Sequence, residues 1–203
     1  MTEKELMLAG KIYDPSDKEL FELRRKAHNL CYKFNQLLEG DNKRDEILKE
    51  LLPNGNGVAL QGPIFFDYGI FTSFGKGSYA NFNLTILDCA PVTIGENVFF
   101  GTNVSIMTPV HPLLKDERRM YVKSDGIVTD MEYAKPITIG SDCWIASNVV
   151  ISGGVNIGSG TVIGAGSVVT RDIPSDSFAL GNPCKVIRKI TKEDSIFLKK
   201  ELF

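Results

Sequence analysis

Histidine is nearly missing from this 203-residue chain, which has two, His28 and His111. Two imidazoles are too few for a three-histidine zinc centre, and few other groups can move a proton near neutral pH. Cysteine is sparse as well. Cys31, Cys89, Cys143 and Cys184 stand far apart with no CxxC pair, which speaks against a zinc ribbon and a disulfide framework. The expectation is four reduced thiols in a cytoplasmic protein that requires no metal. A basic surplus is absent: 23 lysines and arginines face 25 aspartates and glutamates, so a nucleic-acid partner is not expected. No apolar run approaches the roughly 20 residues that cross a bilayer. The opening MTEKELMLAGKIYD carries charges and lacks the apolar stretch of a signal peptide, so no membrane partner is expected either.

What the chain has is a period. In ITIGSDCWIASNVVISGGVNIGSGTVIGAGSVVT, residues 137–170, an aliphatic side chain falls on every sixth position: Ile139, Ile145, Ile151, Ile157, Ile163 and Val169. A helix repeats near 3.6 and a strand at 2, so neither explains a six. An earlier block keeps the same beat at Ile94, Phe100 and Ile106, and a looser frame runs through Tyr68, Phe74, Ala80 and Ile86. That frame slips by two before Ile94, which predicts a small loop around Cys89 to Val92. The next position is often small, as at Gly95, Gly101, Gly140, Ala146, Ser152, Gly158 and Gly164. Six residues accommodate a short strand and a tight turn. Three such units close a triangular coil of 18, and coils stack as parallel strands with the aliphatic residues inside. A single coil cannot bury its own interior, so neighbours must stack.

The flanks have a different texture. Residues 1–57 read as a helical cap, with Leu20, Leu23, Ala27, Leu30, Cys31, Phe34, Leu37 and Leu38 on one face of a helix that Ser16 or Asp17 caps. A shorter helix follows in DNKRDEILKELL and ends at PNGNG. The repeat region spans 58–174, interrupted by a charged, aperiodic excursion over 108–136 that opens on TPVHPL. Residues 175–203 form a C-terminal segment whose polar tail has the makings of a short helix.

Together these features resemble the hexapeptide-repeat acetyltransferases, and more narrowly the maltose and galactoside O-acetyltransferases. The resemblance rests on MLAGKIYD (7–14), YKFN (32–35), YANFNLTILD (79–88), TPVHPL (108–113), PITIGSDCWIASNVVI (136–151), GVNIGSGTVIGAGSVVTRDIP (154–174) and GNPCKVIRKI (181–190), in family order over nearly the whole chain. It implies a mainly β fold, a left-handed parallel β-helix with an N-terminal helical cap. It also implies acetyl-CoA as co-substrate, a small-molecule hydroxyl acceptor, and a homotrimer with sites between subunits. The left hand comes from the family, since spacing alone does not set it and the usual crossover is right-handed.

O-acetylation needs a general base to take a proton from a weakly acidic hydroxyl as it attacks a thioester. His111, between Pro109 and Pro112 at the mouth of the excursion, suits that role; His28, on the first long helix, reads as a helix-surface residue. The resemblance implies that Glu132 orients His111. It places Asp14, Asp67, Asn81, Asp88 and Trp144 on the acceptor side, although an Asp or Asn at a turn equally bonds its own backbone. The coenzyme side would comprise the Ser147 backbone at the thioester carbonyl, Ala165 along the pantetheine arm, and Thr170, Arg171, Lys185 and Arg188 at the nucleotide. Arg171, Lys185, Arg188 and Lys189 are also the main basic run after the sparsely charged repeats. The C-terminal segment would therefore pack near the coenzyme.

Three departures leave the acceptor open. Cys89 stands where some relatives carry a second carboxylate, Ala146 replaces a frequent glycine, and the excursion is longer than in the sugar enzymes. A xenobiotic or other non-sugar hydroxyl is therefore an alternative acceptor. A γ-type carbonic anhydrase on the same fold needs a third histidine that this chain lacks. A catalytically silent β-helix would have no use for His111, Asn81, Asp88 and the basic run.

Overall fold

The computed structural model describes residues 1–202 as a left-handed parallel β-helix closed at one end by helices. Three sheets form the faces of a prism. The first face holds Ala59–Leu60, Tyr79–Ala80, Phe99–Phe100, Trp144–Ile145, Val162–Ile163 and Ser177–Leu180 in parallel, with Lys185–Lys189 added antiparallel at its edge. The second holds Ile64–Phe66, Leu84–Leu87, Ser105–Met107, Val150–Ser152 and Val168–Val169. The third holds Thr72–Phe74, Val92–Ile94, Ile137–Ile139 and Asn156–Ile157. The sixfold aliphatic residues all point inward: Ile139, Ile145, Ile151, Ile157, Ile163 and Val169 are buried in one core.

Register shows where the period holds and where it breaks. Ile151 pairs with Val169 and Ile139 with Ile157, an 18-residue step. Phe66 pairs with Ile86 and Ile86 with Ile106, a 20-residue step. In both longer coils the surplus lies at the corner between the second and third faces, where Phe66 precedes Phe74, and Ile86 precedes Ile94, by eight positions instead of six. The expected loop before Val92 is present. The inward residue of the first unit, however, is Phe66 and not Tyr68. Tyr68 stands six before Phe74 and so mimics the period, but it is buried in a separate cluster at this corner with Met7, Tyr13, Leu20, Cys89, Ala90 and Ala134. The excursion over 108–136 leaves from the same corner one coil later. The second corner of the prism is thus the one the chain enlarges repeatedly.

Tight turns explain the Asn and Gly content. Asn83, Asn103 and Asn148 adopt φ of 62°, 57° and 59°, a left-handed region that asparagine tolerates. They stack at the first corner, between the first and second faces. Each passes an amide hydrogen bond along the prism, Asn83 Nδ2 to Asn103 Oδ1 at 2.8 Å and Asn103 Nδ2 to Asn148 Oδ1 at 3.0 Å.

The cap covers the otherwise open end of the prism, as solenoids require. Helix α1 (Glu3–Leu8) opens with a Thr2/Glu5 capping box, α2 (Lys18–Asn35) starts at the Asp17 cap, and α3 (Lys43–Leu51) follows. From α2, Ala27, Leu30, Cys31 and Phe34 enter the prism core. The helix stops at Asn35, whose side chain accepts from Ile64 N (2.8 Å) and donates to Ile64 O (3.0 Å), occupying the edge strand's free groups. Leu37 and Leu38 therefore lie beyond the helix, and Leu38 is exposed. At the other end, Ser177–Leu180 completes the first face, so the repeat continues past Pro174, and the tail forms 3-10 turns.

Candidate active site

The excursion is a hairpin in its own right. Pro109–Val110 pairs antiparallel with Tyr133–Ala134, and farther out Tyr121–Val122 pairs with Val128–Thr129. The inner rung puts His111 opposite Glu132. His111 Nδ1 lies 3.3 Å from Asp130 Oδ2, and Nε2 lies 3.8 Å from Glu132 Oε2. Asp130 and Glu132 are two apart on an extended return segment, so both can face the imidazole. That spacing was readable in the sequence, but Asp130 had no role assigned to it.

The N-terminal segment holds this hairpin in place. Tyr13 N donates to Glu132 O at 3.1 Å, and the buried Tyr13 hydroxyl donates to the Glu132 carboxylate. Burial raises the pKa of Glu132, with the Tyr13 hydrogen bond and the His111 charge pulling it back. Burial, together with Cys89 and Glu132, raises the phenol pKa and keeps Tyr13 a donor. Asp14 is a second clasp. It accepts from Lys123 Nζ at 2.7 Å, Ser16 Oγ at 2.6 Å and Thr129 Oγ1 at 2.5 Å. Burial works against its charge, but these donors outweigh it and hold the carboxyl well below the usual range.

The other acceptor-side candidates separate. Asp88 is fully buried at the second corner, accepting from Tyr68 N at 2.8 Å and Thr72 Oγ1 at 3.0 Å, so it fastens the two enlarged coils instead of facing solvent. Asp67 is at the same corner, with Oδ1 3.3 Å from His28 Nε2 and Oδ2 accepting the Cys89 thiol at 3.7 Å. Asn81 lies at the first corner and accepts from Phe82 N at 2.8 Å. Trp144 is half-exposed on the first face, in register with Phe99 and Val162.

Asp88 has a pH signature. Burial pushes its pKa up to about 6 against the hydrogen bonds it accepts. A raised carboxyl pKa contributes stability that is complete below the unfolded value, near 4, and lost as pH rises through 6. The difference in unfolding free energy between the wild type and Asp88→Asn is expected to fall by about 2 kcal/mol between pH 4 and 7. The amide can still accept from Tyr68 N and donate to Thr72. Urea unfolding across that range measures it, and a pH-independent difference would contradict the assignment.

The coenzyme-side candidates also divide. Ser147 and Ala165 stack at the first corner. Ser147 Oγ accepts from Thr102 N at 3.1 Å. A side chain at the adjacent Gly166 would meet nothing within 4 Å, so open space lies over this stretch. Thr170 and Arg171 are exposed at the second corner, whereas Lys185 and Arg188 sit on the added strand of the first face, so the basic residues occupy two edges. Arg188 holds Asp194 with Nη1–Oδ2 at 2.8 Å and Nη2–Oδ1 at 2.5 Å, the fork that a guanidinium also offers a phosphate. Small residues under open space suit a pantetheine arm, and the cations Lys185 and Arg188 on the first face suit its phosphates. Among the described residues, no group of three or more His, Cys, Asp and Glu could hold a metal ion. None of the described helices is long and apolar enough to cross a membrane.

Residues 6–55 match the maltose acetyltransferase hexapeptide capping motif, 91–111 the hexapeptide repeat of succinyl-transferase, and 136–171 the bacterial transferase hexapeptide (six repeats). The galactoside O-acetyltransferase of Escherichia coli is 39% identical over 203 residues, covering 99% of this chain and 95% of its own. The chain belongs to the hexapeptide-repeat acetyltransferases. Two solved members of the family superpose on this acetyltransferase. The maltose O-acetyltransferase from Clostridium difficile 630 does so with a TM-score of 0.85 at 40% identity, covering 95% of this chain and 99% of that one. A Vibrio cholerae hexapeptide-repeat acetyltransferase in complex with acetyl coenzyme A gives 0.82 at 33%, covering 95% and 100%.

Proposed function

We propose that this acetyltransferase moves an acetyl group from acetyl-CoA to a hydroxyl of a sugar or glycoside, with His111 as general base. The carrying observation is the half-exposed imidazole of His111, braced by Asp130 and Glu132 at the base of the hairpin. Acetyl-CoA supplies the activated acyl group. His111 takes the proton as the acceptor oxygen bonds to the acetyl carbon, and hands it to the sulfur as the carbon–sulfur bond breaks. Glu132, whose charge the Tyr13 hydrogen bond supports against burial, stabilises the imidazolium that forms between those two events. In this reading the Ser147 N–H faces the thioester carbonyl, where charge develops. Ala165 lines the pantetheine arm, and Thr170, Arg171, Lys185 and Arg188 meet the nucleotide end. Asp67, Asn81 and Trp144 contact the acceptor, while Asp14 and Asp88 shape its site through the clasp and the corner.

We place the complete site between two copies in a homotrimer. Within one chain, His111 leaves the second corner and Ser147 and Ala165 lie at the first, with the whole second face between them. An adjacent copy can bring its first corner to this His111. The outer first face also presents Tyr79, Phe99 and Trp144 in register, an aromatic stripe suited to burial against another chain. Four free, buried cysteines favour a cytoplasmic location. A non-sugar hydroxyl is the second reading, favoured by the occupation of Asp14 by Lys123 and Thr129.

The test is thiol release from acetyl-CoA with glucose, maltose, galactosides, an amino sugar and a non-sugar alcohol. Release dependent on the sugars is expected. Release with the non-sugar alcohol alone would favour the second reading, and failure to bind acetyl-CoA would overturn both.

A further inference from the structure

Next to the His111 hairpin lies a cleft of which only Asp67 has a part in the transfer reaction as proposed. It has a volume of about 290 Å³ and opens between α2 and the first two coils. His28, Tyr32 and Asn35 line one side, Phe65 and Asp67 the other, with Leu87 below. Its wall chemistry is mixed in a particular way. Tyr32 and Phe65 are large aromatics left 67% and 48% exposed at the rim. A single exposed aromatic is ordinary, but two flanking a concave polar pair are not. That pair is His28 Nε2 and Asp67 Oδ1, 3.3 Å apart. The Asp67 carboxylate has about four lone-pair sites, and its contacts with His28 and Cys89 leave it able to accept more.

The cleft is continuous with the reaction centre. Asp67 Oδ2 accepts the Cys89 thiol at 3.7 Å, and Cys89 and Tyr13 share one buried cluster. Tyr13 in turn donates to Glu132, which stands 3.8 Å from His111 Nε2. The two histidines of the chain therefore mark the two ends of one connected group of side chains. His28, which sequence alone assigns to a helix surface, has a carboxylate partner and a cavity.

We propose that this cleft is a subsite for the non-reacting ring of a two-ring glycoside acceptor. A pyranose has an apolar face of C–H bonds, which suits an aromatic wall, and a belt of hydroxyls, which suits a carboxylate–imidazole pair. The volume lies at the small end of ligand pockets, where roughly 300 Å³ holds one ring and not a nucleotide. The subsite rests on the sugar reading of the preceding subsection, because it binds the part of that acceptor lying beyond the hydroxyl at His111. Contacts there raise the rate for a disaccharide over its monosaccharide by holding the reacting hydroxyl in place.

The experiment compares kcat/KM for maltose and for glucose in the wild type and in the double variant His28→Ala/Tyr32→Ala. Saturation-transfer NMR on maltose accompanies it, to show which ring touches the protein. The wild type is expected to prefer maltose, with saturation of both rings. The variant is expected to lose about ten- to hundredfold of that preference and the saturation of one ring. Sugars turned over with the same maltose-to-glucose ratio in both proteins would overturn the subsite alone. No sugar turned over by the wild type would overturn the acceptor reading, and the subsite with it. A variant that fails to fold shows itself in a lowered melting temperature, and the wild-type saturation pattern then decides.

Discussion

Replacing His111 by alanine is expected to lower kcat about 10²–10⁴-fold while the Kd for acetyl-CoA stays unchanged. The imidazole has two carboxylate neighbours, Asp130 and Glu132, and contributes to no buried cluster, so its loss removes the proposed base without disturbing the prism. His28 cannot substitute, because Asp67, Cys89 and Tyr13 stand between it and the hairpin. Tyr13→Phe should cost less, about tenfold, and should also change the pH profile. Without the phenol's hydrogen bond the buried Glu132 loses support for its charge, and its pKa rises further. A neutral Glu132 no longer stabilises the imidazolium, so the acid limb of the rate profile moves to higher pH. Thiol-release kinetics and calorimetric titration with acetyl-CoA measure both variants. More than a tenth of wild-type activity in His111→Ala would remove it as the base.

The parts of the fold that were legible in the sequence are those a period can express. Ile139 through Val169 recur at a fixed spacing because each must reach the same prism axis, and stacking forgives no drift. Tyr68 shows the limit of that signal. An enlarged corner of two extra residues can shift the frame and leave another large apolar residue at a multiple of six. Only the pairing of Phe66 with Ile86 separates the two. For the site, loop position together with the family resemblance pointed to His111, and the resemblance alone to Glu132; the two meet at the hairpin base. Contacts across more than a hundred residues were not legible: Tyr13 with Glu132, and Asp14 with Lys123 and Thr129. Nothing in MLAGKIYD states which hairpin it clasps. Burial was equally hidden. Asp88 and Asp67 look alike in sequence, yet one is sealed beneath Tyr68 and the other borders a cleft.

Two glycines of the first corner should separate close coil stacking from backbone freedom. At Gly101, a Cβ would lie 2.6 Å from Ser147 N, 2.7 Å from Ser147 Oγ and 2.9 Å from Ala146 C. Two of those atoms are backbone of the neighbouring coil, so no side chain can swing aside and the coils must part. The same fit recurs where Gly95, Gly140 and Gly158 meet Ser141, Ser159 and Ser175, whereas Ala146 sits beside Ala165. Gly101→Ala is expected to cost about 3 kcal/mol, which lowers the melting temperature by roughly 6–12 °C in a chain of this size. At Gly166 a Cβ meets nothing within 4 Å, and only φ of +72° opposes it. Gly166→Ala should cost about 1 kcal/mol, the penalty of a left-handed alanine. The same substitution at Gly101 displaces Ser147, so its KM for acetyl-CoA should rise as well, measured at a temperature where the variant is fully folded. Equal melting temperatures for the two variants would mean that the close approach at the corner does not limit stability. An unchanged KM in Gly101→Ala would detach the Ser147 backbone from the thioester.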